Sequence, residues 1–152
     1  MNLALSDFTE NILNHSFEWL HDPEIKFLTK TPDITKEQQL IWFKSLKDRK
    51  DYLVKAINVI DEPVGVVGLK KICTLEKKAE YFGYIGNKAY WGKGIGDWML
   101  NKALELAIAQ DLEKVYLNVI IENYKAINLY FKTGFKIVSY NESCYLMEKK
   151  LK

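Results

Sequence analysis

Gly92-Lys93-Gly94-Ile95-Gly96 stands directly before an apolar helical pattern. Glycines at a helix N-terminus let backbone N–H groups approach phosphate oxygens, and the helix dipole favours the anion. Later comes Asn123-Tyr124-Lys125-Ala126-Ile127-Asn128-Leu129-Tyr130, closing with Gly134-Phe135. This segment puts an asparagine at a strand-to-helix junction and a tyrosine two turns into the helix. An asparagine there ties down amides or caps the helix. A phenol, with a pKa of about 10, stays protonated at neutral pH and can donate its proton. The two segments together predict a site that holds a phosphorylated carrier on one side and moves protons on the other.

Other uses of the glycines fit less well. A nucleotide P-loop needs G-x-x-x-x-G-K followed by Ser or Thr. Gly86 is one residue too far from Gly92-Lys93, and Gly94 stands where the metal-binding hydroxyl belongs. A dinucleotide fingerprint needs G-x-G-x-x-G within a βαβ array. The spacing here is shorter and the surrounding βα units are too few, although Glu122 has the type of a ribose-binding acid. Taken alone, the glycine run reads equally well as a tight turn without a ligand.

The elements around these segments follow from periodicity. Leu3 to Leu5 begins a short strand, and residues 9 to 20 form a helix through Ile12, Leu13, Phe17 and Leu20. His21-Asp22-Pro23-Glu24 stops it, and Ile25 to Leu28 makes a short turn of helix. Thr35-Lys36-Glu37-Gln38 has the form of a capping box, opening a helix through Leu40, Phe43 and Leu46. Tyr52 to Ile60, Val64 to Lys71 and Ala79 to Gly86 make a meander, with turns at Asp61-Glu62-Pro63 and at Thr74 to Lys78. Asp97 to Gln110 is a helix apolar on most of its circumference, so it lies against a sheet. Val115 to Ile121 is a strand and Tyr124 to Thr133 the last helix, with Gly134 as its C-cap. Phe135 to Tyr140 and Cys144 to Glu148 close as a strand pair. The predicted fold class is α/β (α+β): an antiparallel meander joined to one strand-helix-strand crossover, with flanking helices, in a single domain over residues 1–152.

Composition narrows the function. The 152 residues carry a net charge of +2, and Arg49 is the sole arginine. Base readout leans on arginine, so no nucleic-acid partner is expected. Cys73 and Cys144 are far apart with no metal-like spacing, which predicts free thiols in a reducing compartment and no metal. The N-terminus has no basic region followed by a long apolar run, and no stretch reaches the roughly 18 apolar residues of a membrane span. The expectation is a cytoplasmic chain.

The two segments in order resemble the GNAT superfamily of acetyltransferases, well from Tyr52 to Phe135 and more loosely over the N-terminal helices. Its phosphate-binding pattern, Gln/Arg-x-x-Gly-x-Gly/Ala, is similar to Trp91-Gly92-Lys93-Gly94-Ile95-Gly96, with Trp91 in place of Gln or Arg. Its second motif, N-x-x-A-x-x-x-Y-x-x-x-G-F, is met by Asn123, Ala126, Tyr130, Gly134 and Phe135. The resemblance implies an enzyme that transfers acetyl from acetyl-CoA to a primary amine by direct attack in a ternary complex. It implies a sheet splayed between the strand ending at Gly86 and the strand Val115 to Ile121. The pantetheine arm would lie in that gap along Ile85 and Gly86, and the pyrophosphate at Gly92 to Gly96. Backbone N–H near Ile85 would face the oxyanion, Asn123 and Ala126 would line the cofactor, and Tyr130 would be the general acid. Lys93 either adds charge or is a solvated loop residue.

The general base stays open. Some members of the family place a glutamate where this chain has Asn118, which cannot take a proton. Glu80 would act through water or is a surface carboxylate. Glu122, His15, His21 and ordered water are further alternatives. His21 next to Asp-Pro also reads as a turn residue.

The acceptor belongs to the N-terminal half. Trp19-Leu20-His21-Asp22-Pro23-Glu24-Ile25 resembles a W-x-x-D-P-E-I/V stretch of two branches, one acting on nucleotide-linked amino sugars and one on ribosomal-protein N-termini. Gln38, Gln39, Trp42 and Phe43 favour the sugar branch, with Trp42, His21 and Asn118 as acceptor-side residues. At helical spacing Trp42 and Phe43 read equally as core. Polyamines are disfavoured because no dense acidic cluster is visible. A non-catalytic acyl-CoA-binding module is the alternative from another class. The meander edge and the C-terminal strand pair offer surfaces for a homodimer.

Overall fold

The chain switches between the helical and the strand period, and each stretch folds as its period dictates. The computed structural model describes residues 1–152. Strand β1 (Leu3–Asp7) leads to helices α1 (Glu10–His21), α2 (Pro23–Leu28) and α3 (Lys36–Ser45). Strands β2 (Leu53–Val59), β3 (Glu62–Cys73) and β4 (Lys78–Ile85) follow, then α4 (Ile95–Ala109), β5 (Lys114–Ile120), α5 (Tyr124–Thr133), β6 (Lys136–Tyr140) and β7 (Cys144–Lys150).

The seven strands form one sheet in the order β1-β2-β3-β4-β5-β7-β6. Neighbours are antiparallel except β4 and β5, which run parallel because α4 returns the chain to the same end. The mixed sheet with its meander and single crossover is the predicted architecture.

The caps explain the helix boundaries. Thr35 and Gln38 form the expected capping box of α3. Thr9 caps α1, Asp22 caps α2 with Pro23 in its first turn, and Gly134 ends α5 at φ +102°. Several boundaries differ from the sequence reading by one or two residues, and two of them have a clear local cause. Helix α4 starts at Ile95 rather than Asp97, because left-handed Gly94 already turns the chain into the helix. Strand β3 starts at Glu62 rather than Val64, since Ile60 and Asp61 alone make the turn, Ile60 at φ +57°. Pro63 is tolerated there because the register with β2 slips between Ile57 and Asn58.

The sheet separates two apolar layers. On one face α4 buries Ile95, Met99, Leu100, Ala103, Leu104 and Ala107 in a core of twenty buried residues that includes Ile127 of α5. Burying one such Leu contributes about 1.5–3 kcal/mol. On the other face Ile12 of α1 packs with Ala56 and Val66. Both cysteines are free, no helix is long and apolar enough to cross a membrane, and no cluster of His, Cys, Asp and Glu is placed to hold a metal ion.

Candidate active site

Strands β4 and β5 pair at Lys78–Lys114, Ala79–Val115 and Glu80–Tyr116 and then part. From Tyr81 to Ile85 the edge of β4 facing β5 is open. The Gly86 N–H donates to the Val64 carbonyl at 2.8 Å. Strand alternation therefore turns the backbone groups of Tyr84 and Phe82 toward β3, and those of Gly83 and Ile85 toward the gap. The Ile85 carbonyl accepts the Trp91 indole N–H at 2.8 Å, which leaves the Ile85 N–H as an open donor. The gap belongs to a cleft of about 1100 Å³.

Of the two residues expected along the pantetheine, Ile85 thus faces the gap, whereas the N–H of Gly86 is spent on Val64. Gly86 is a glycine for another reason: a Cβ there would overlap the Trp19 indole. Trp91, expected against the cofactor, lines the cleft but uses its N–H to brace the loop.

The loop from β4 to α4 is held at several points. Glu62 accepts from Asn87 Nδ2 at 3.1 Å and from the Tyr90 hydroxyl at 3.0 Å. Lys88 pairs with Asp22 at 3.0 Å and Glu24 at 2.9 Å. Gly92 and Gly94 then take φ of +75° and +82°, with open space where a Cβ would stand. The first intrahelical bond near this end runs from the Trp98 N–H to the Gly94 carbonyl, and no side chain caps α4. The N–H groups of Ile95, Gly96 and Asp97 are left at the cleft end of the helix, where an anion fits. Lys93, between Gly92 and Gly94, is exposed and does not itself line the cleft.

Tyr130 projects from α5 into the cleft. Its ring meets Tyr81 edge-on at 6.1 Å and Phe135 at 5.8 Å. Burial pushes its phenol up to about 12, so it holds its proton. Burial also raises Tyr81 and Tyr84. Asn123 caps α5 by accepting from the Ala126 N–H at 3.4 Å, and both residues line the cleft.

Glu80 is buried at the apex where the strands part. The surface-carboxylate reading is therefore corrected: the β4 alternation puts Glu80 with Phe82 and Tyr84 on the face that carries α1 to α3. Asn118 Nδ2 donates to Glu80 Oε2 at 3.4 Å, and Glu80 Oε1 has no hydrogen-bond partner. Asn118 thus orients the carboxylate. Glu122 does not line the cleft.

Among the acceptor-side residues, Trp42 lines the cleft, with Phe8 and Tyr52 each 5.7 Å away edge-on. Tyr52 continues the aromatic wall to Phe82 at 6.1 Å. Phe43 packs on Phe8 instead, at 6.0 Å. His21 is not brought to the site. It is exposed, its Nδ1 lies 2.7 Å from the Phe17 carbonyl, and it lines a separate small cavity. The cause is its place at the last turn of α1, where the ring folds onto Phe17. Tyr52, Phe82 and Lys70 were not singled out by sequence; only strand alternation, with its register to β4 known, assigns them to this face.

A sheet splayed at one parallel pair, an uncapped glycine-led helix at its mouth and a buried tyrosine in the gap define an acyl-carrier-binding transferase fold. The family profile "Acetyltransferase (GNAT) family" matches residues 10–135. The chain belongs to that family of acetyl-CoA-dependent acetyltransferases. It is 37% identical over 73 residues to the spermidine N(1)-acetyltransferase of Vibrio cholerae, covering 47% of this chain and 42% of that protein. It is 35% identical over 91 residues to an N-alpha-acetyltransferase of Sulfurisphaera tokodaii, covering 55% and 54%. The matched stretches thus span about half of each relative. The crystal structure of the V. cholerae spermidine N-acetyltransferase with CoA and spermine superposes with a TM-score of 0.87 at 22% identity, over 97% of this chain and 95% of that one.

Proposed function

We propose that this chain transfers an acetyl group from acetyl-CoA to the primary amine of a small molecule, a nucleotide-linked amino sugar being the acceptor. One observation carries the reading: the β4–β5 gap opens onto Tyr130 on one face of the sheet and onto Glu80 with Asn118 on the other. A donor lying in the gap is then reachable from both sides.

Acetyl-CoA fits the residues present. The open space at Gly92 and Gly94 and the free N–H groups of Ile95 and Gly96 suit its phosphates. The outward backbone of Gly83 and Ile85 suits the amides of its arm. When bound, acetyl-CoA would supply an activated acetyl carbonyl and a thiolate leaving group.

The roles of the chain's own groups follow. The Ile85 N–H donates to negative charge developing on an oxygen in the gap. Glu80, oriented by Asn118, accepts the proton of an amine arriving from the α1–α3 face, directly or through water. Tyr130, kept protonated by burial, gives a proton to the leaving sulfur. The wall of Trp42, Tyr52 and Phe82 offers ring faces to a sugar or base.

The name of the V. cholerae relative favours a polyamine as second reading. Against it, Glu80 and Asp33 are the two carboxylates lining the cleft, and Asp33 is engaged by Lys26. A peptide N-terminus is the other alternative. A dimer would use the open edge of β6, where Ile137, Val138 and Tyr140 are exposed.

The test is CoA release from acetyl-CoA with UDP-linked 4-amino sugars, ribosomal N-terminal peptides and polyamines. Turnover with the sugar supports the full reading. Turnover with another class keeps the acetyltransferase and replaces the acceptor. Tight acetyl-CoA binding with no turnover on any acceptor supports a binding module instead.

A further inference from the structure

Two buried side-chain polar atoms in the chain lack a hydrogen-bond partner, and both belong to residues that line the cleft: Glu80 Oε1 and Gln39 Oε1. The mechanism above assigns Glu80 to the amine. Gln39 takes part in none of its steps, yet it is only 8% exposed. An amide oxygen buried without a donor costs the free protein stability, which a bound N–H or O–H restores.

The setting of Gln39 follows from α3. Gln38 Oε1 closes the capping box by accepting the Thr35 N–H at 2.9 Å. Gln39, one position on, turns inward. Trp42 follows at i+3, so the two share a side of the helix, and both line the cleft. Gln39 stands at a recess of the cleft under the α2–α3 connection, and Leu20, Thr31, Pro32 and Ile34 line both spaces. That recess holds about 10 Å³, room for one water at most. Gln39 also borders a groove of about 210 Å³ between α1 and α3, on the side of Leu13 and Leu40. Of the three spaces, the cleft of about 1100 Å³ is the one large enough to admit a substrate.

Charge narrows what the amide can meet. The recess includes His21 and Lys26 and no carboxylate. Glu80 is already shared: Lys70 Nζ lies 3.9 Å from its Oε2 and Lys71 Nζ 3.5 Å from its Oε1, where the register of β3 slips. A second ammonium at Gln39 would be desolvated near Lys26 with only a neutral amide as partner. A hydroxyl or an amide N–H loses little on burial once it donates to Oε1.

We propose that Gln39 sets acceptor specificity by accepting a hydrogen bond from a neutral hydroxyl or amide N–H that the acceptor carries in addition to its reacting amine. This rests on the α1–α3 side of the cleft being the acceptor site, as argued above. The ring wall joins the two positions. It starts at Trp42, one turn from Gln39, passes Tyr52 at 5.7 Å and reaches Phe82 at 6.1 Å, two residues from Glu80 on the same face of β4. An amine held by Glu80 thus has its remaining length directed along the rings toward Gln39.

The experiment uses three primary amines matched in chain length, over a series of lengths: an α,ω-amino alcohol, the diamine and the plain alkylamine. Turnover is read by CoA release from acetyl-CoA, and affinity by calorimetry with CoA present. At the best length the amino alcohol should exceed both others in kcat/KM by about tenfold or more. Gln39→Met should remove that advantage by raising KM for the amino alcohol, with little change for the alkylamine. Without an acceptor, urea unfolding should show Gln39→Met to be as stable as the parent or more so, because it deletes an unpaired buried amide. Equal kcat/KM for amino alcohol and alkylamine, a preference for the diamine, or an advantage that survives Gln39→Met would overturn the proposal. So would a loss of stability in Gln39→Met with all three amines affected alike, the mark of a structural amide held by water. Preferential binding of the amino alcohol without any CoA release would instead sink the acetyl-transfer reading and leave the role of Gln39 standing.

Discussion

The indole of Trp19 lies against the Cα of Gly86, where β4 gives way to the glycine-bearing loop. The contact explains why α1 carries a tryptophan and why β4 is followed by a glycine. It also accounts for the Trp19-to-Ile25 stretch as a joint. Asp22 caps α2, Asp22 and Glu24 hold Lys88 of the loop, and Ile25 is buried. The acceptor-side helices are thereby fastened to the loop that sets the donor end.

Gly86→Ala should therefore destabilise the fold by about 1–3 kcal/mol, as overpacking does. The cost should shrink in a Trp19→Ala background, where the overlap is gone. Urea unfolding of the four proteins measures the coupling, and additive effects would show that the two residues do not meet.

Tyr130→Phe should lower kcat by roughly 10²–10⁴ and leave acetyl-CoA affinity intact. The ring keeps its contacts with Tyr81 and Phe135, so only the proton is lost. Equal kcat in the two proteins would remove Tyr130 as the acid.

Gly94→Asp should abolish acetyl-CoA binding as seen by calorimetry. It forces a side chain into φ +82° and sets a carboxylate at the anion end of α4. Gly94→Ala, which adds strain without charge, should weaken binding less. Unchanged affinity in both would mean that the phosphates lie elsewhere.

Alkaline pH should destabilise the chain more than its exposed tyrosines account for. Burial raises Tyr81, Tyr84 and Tyr130 above the ordinary phenol value of 10.0. Near and above that value the unfolded chain loses these protons first, so stability present below it falls as pH rises. For Tyr130 the loss runs until the folded phenol titrates at about 12. Unfolding free energies on either side of pH 10 test this, and Tyr84→Phe should flatten the slope.

Much of the fold and half of the site were legible because they are local. The capping box at Thr35, the C-cap at Gly134 and the asparagine at the start of α5 act over a few neighbouring residues. Left-handed Gly94 likewise follows from backbone sterics at one position. The two motifs therefore placed the glycine turn, Asn123 and Tyr130 before any packing was known.

What the tertiary structure alone decided depends on register and close approach. Glu80 looked like a surface carboxylate because strand sequence does not say which edge pairs for three residues and then parts. Gly86 looked like a donor residue because a sequence does not show a tryptophan arriving from another helix. His21 stood in a resembling stretch, yet the final turn of α1 directs it to Phe17. Lys70 and Lys71 converge on Glu80 through a register slip that no periodicity announces. Local sterics and capping are written in neighbouring residues; which faces meet is settled only when distant segments compete for the same buried surface.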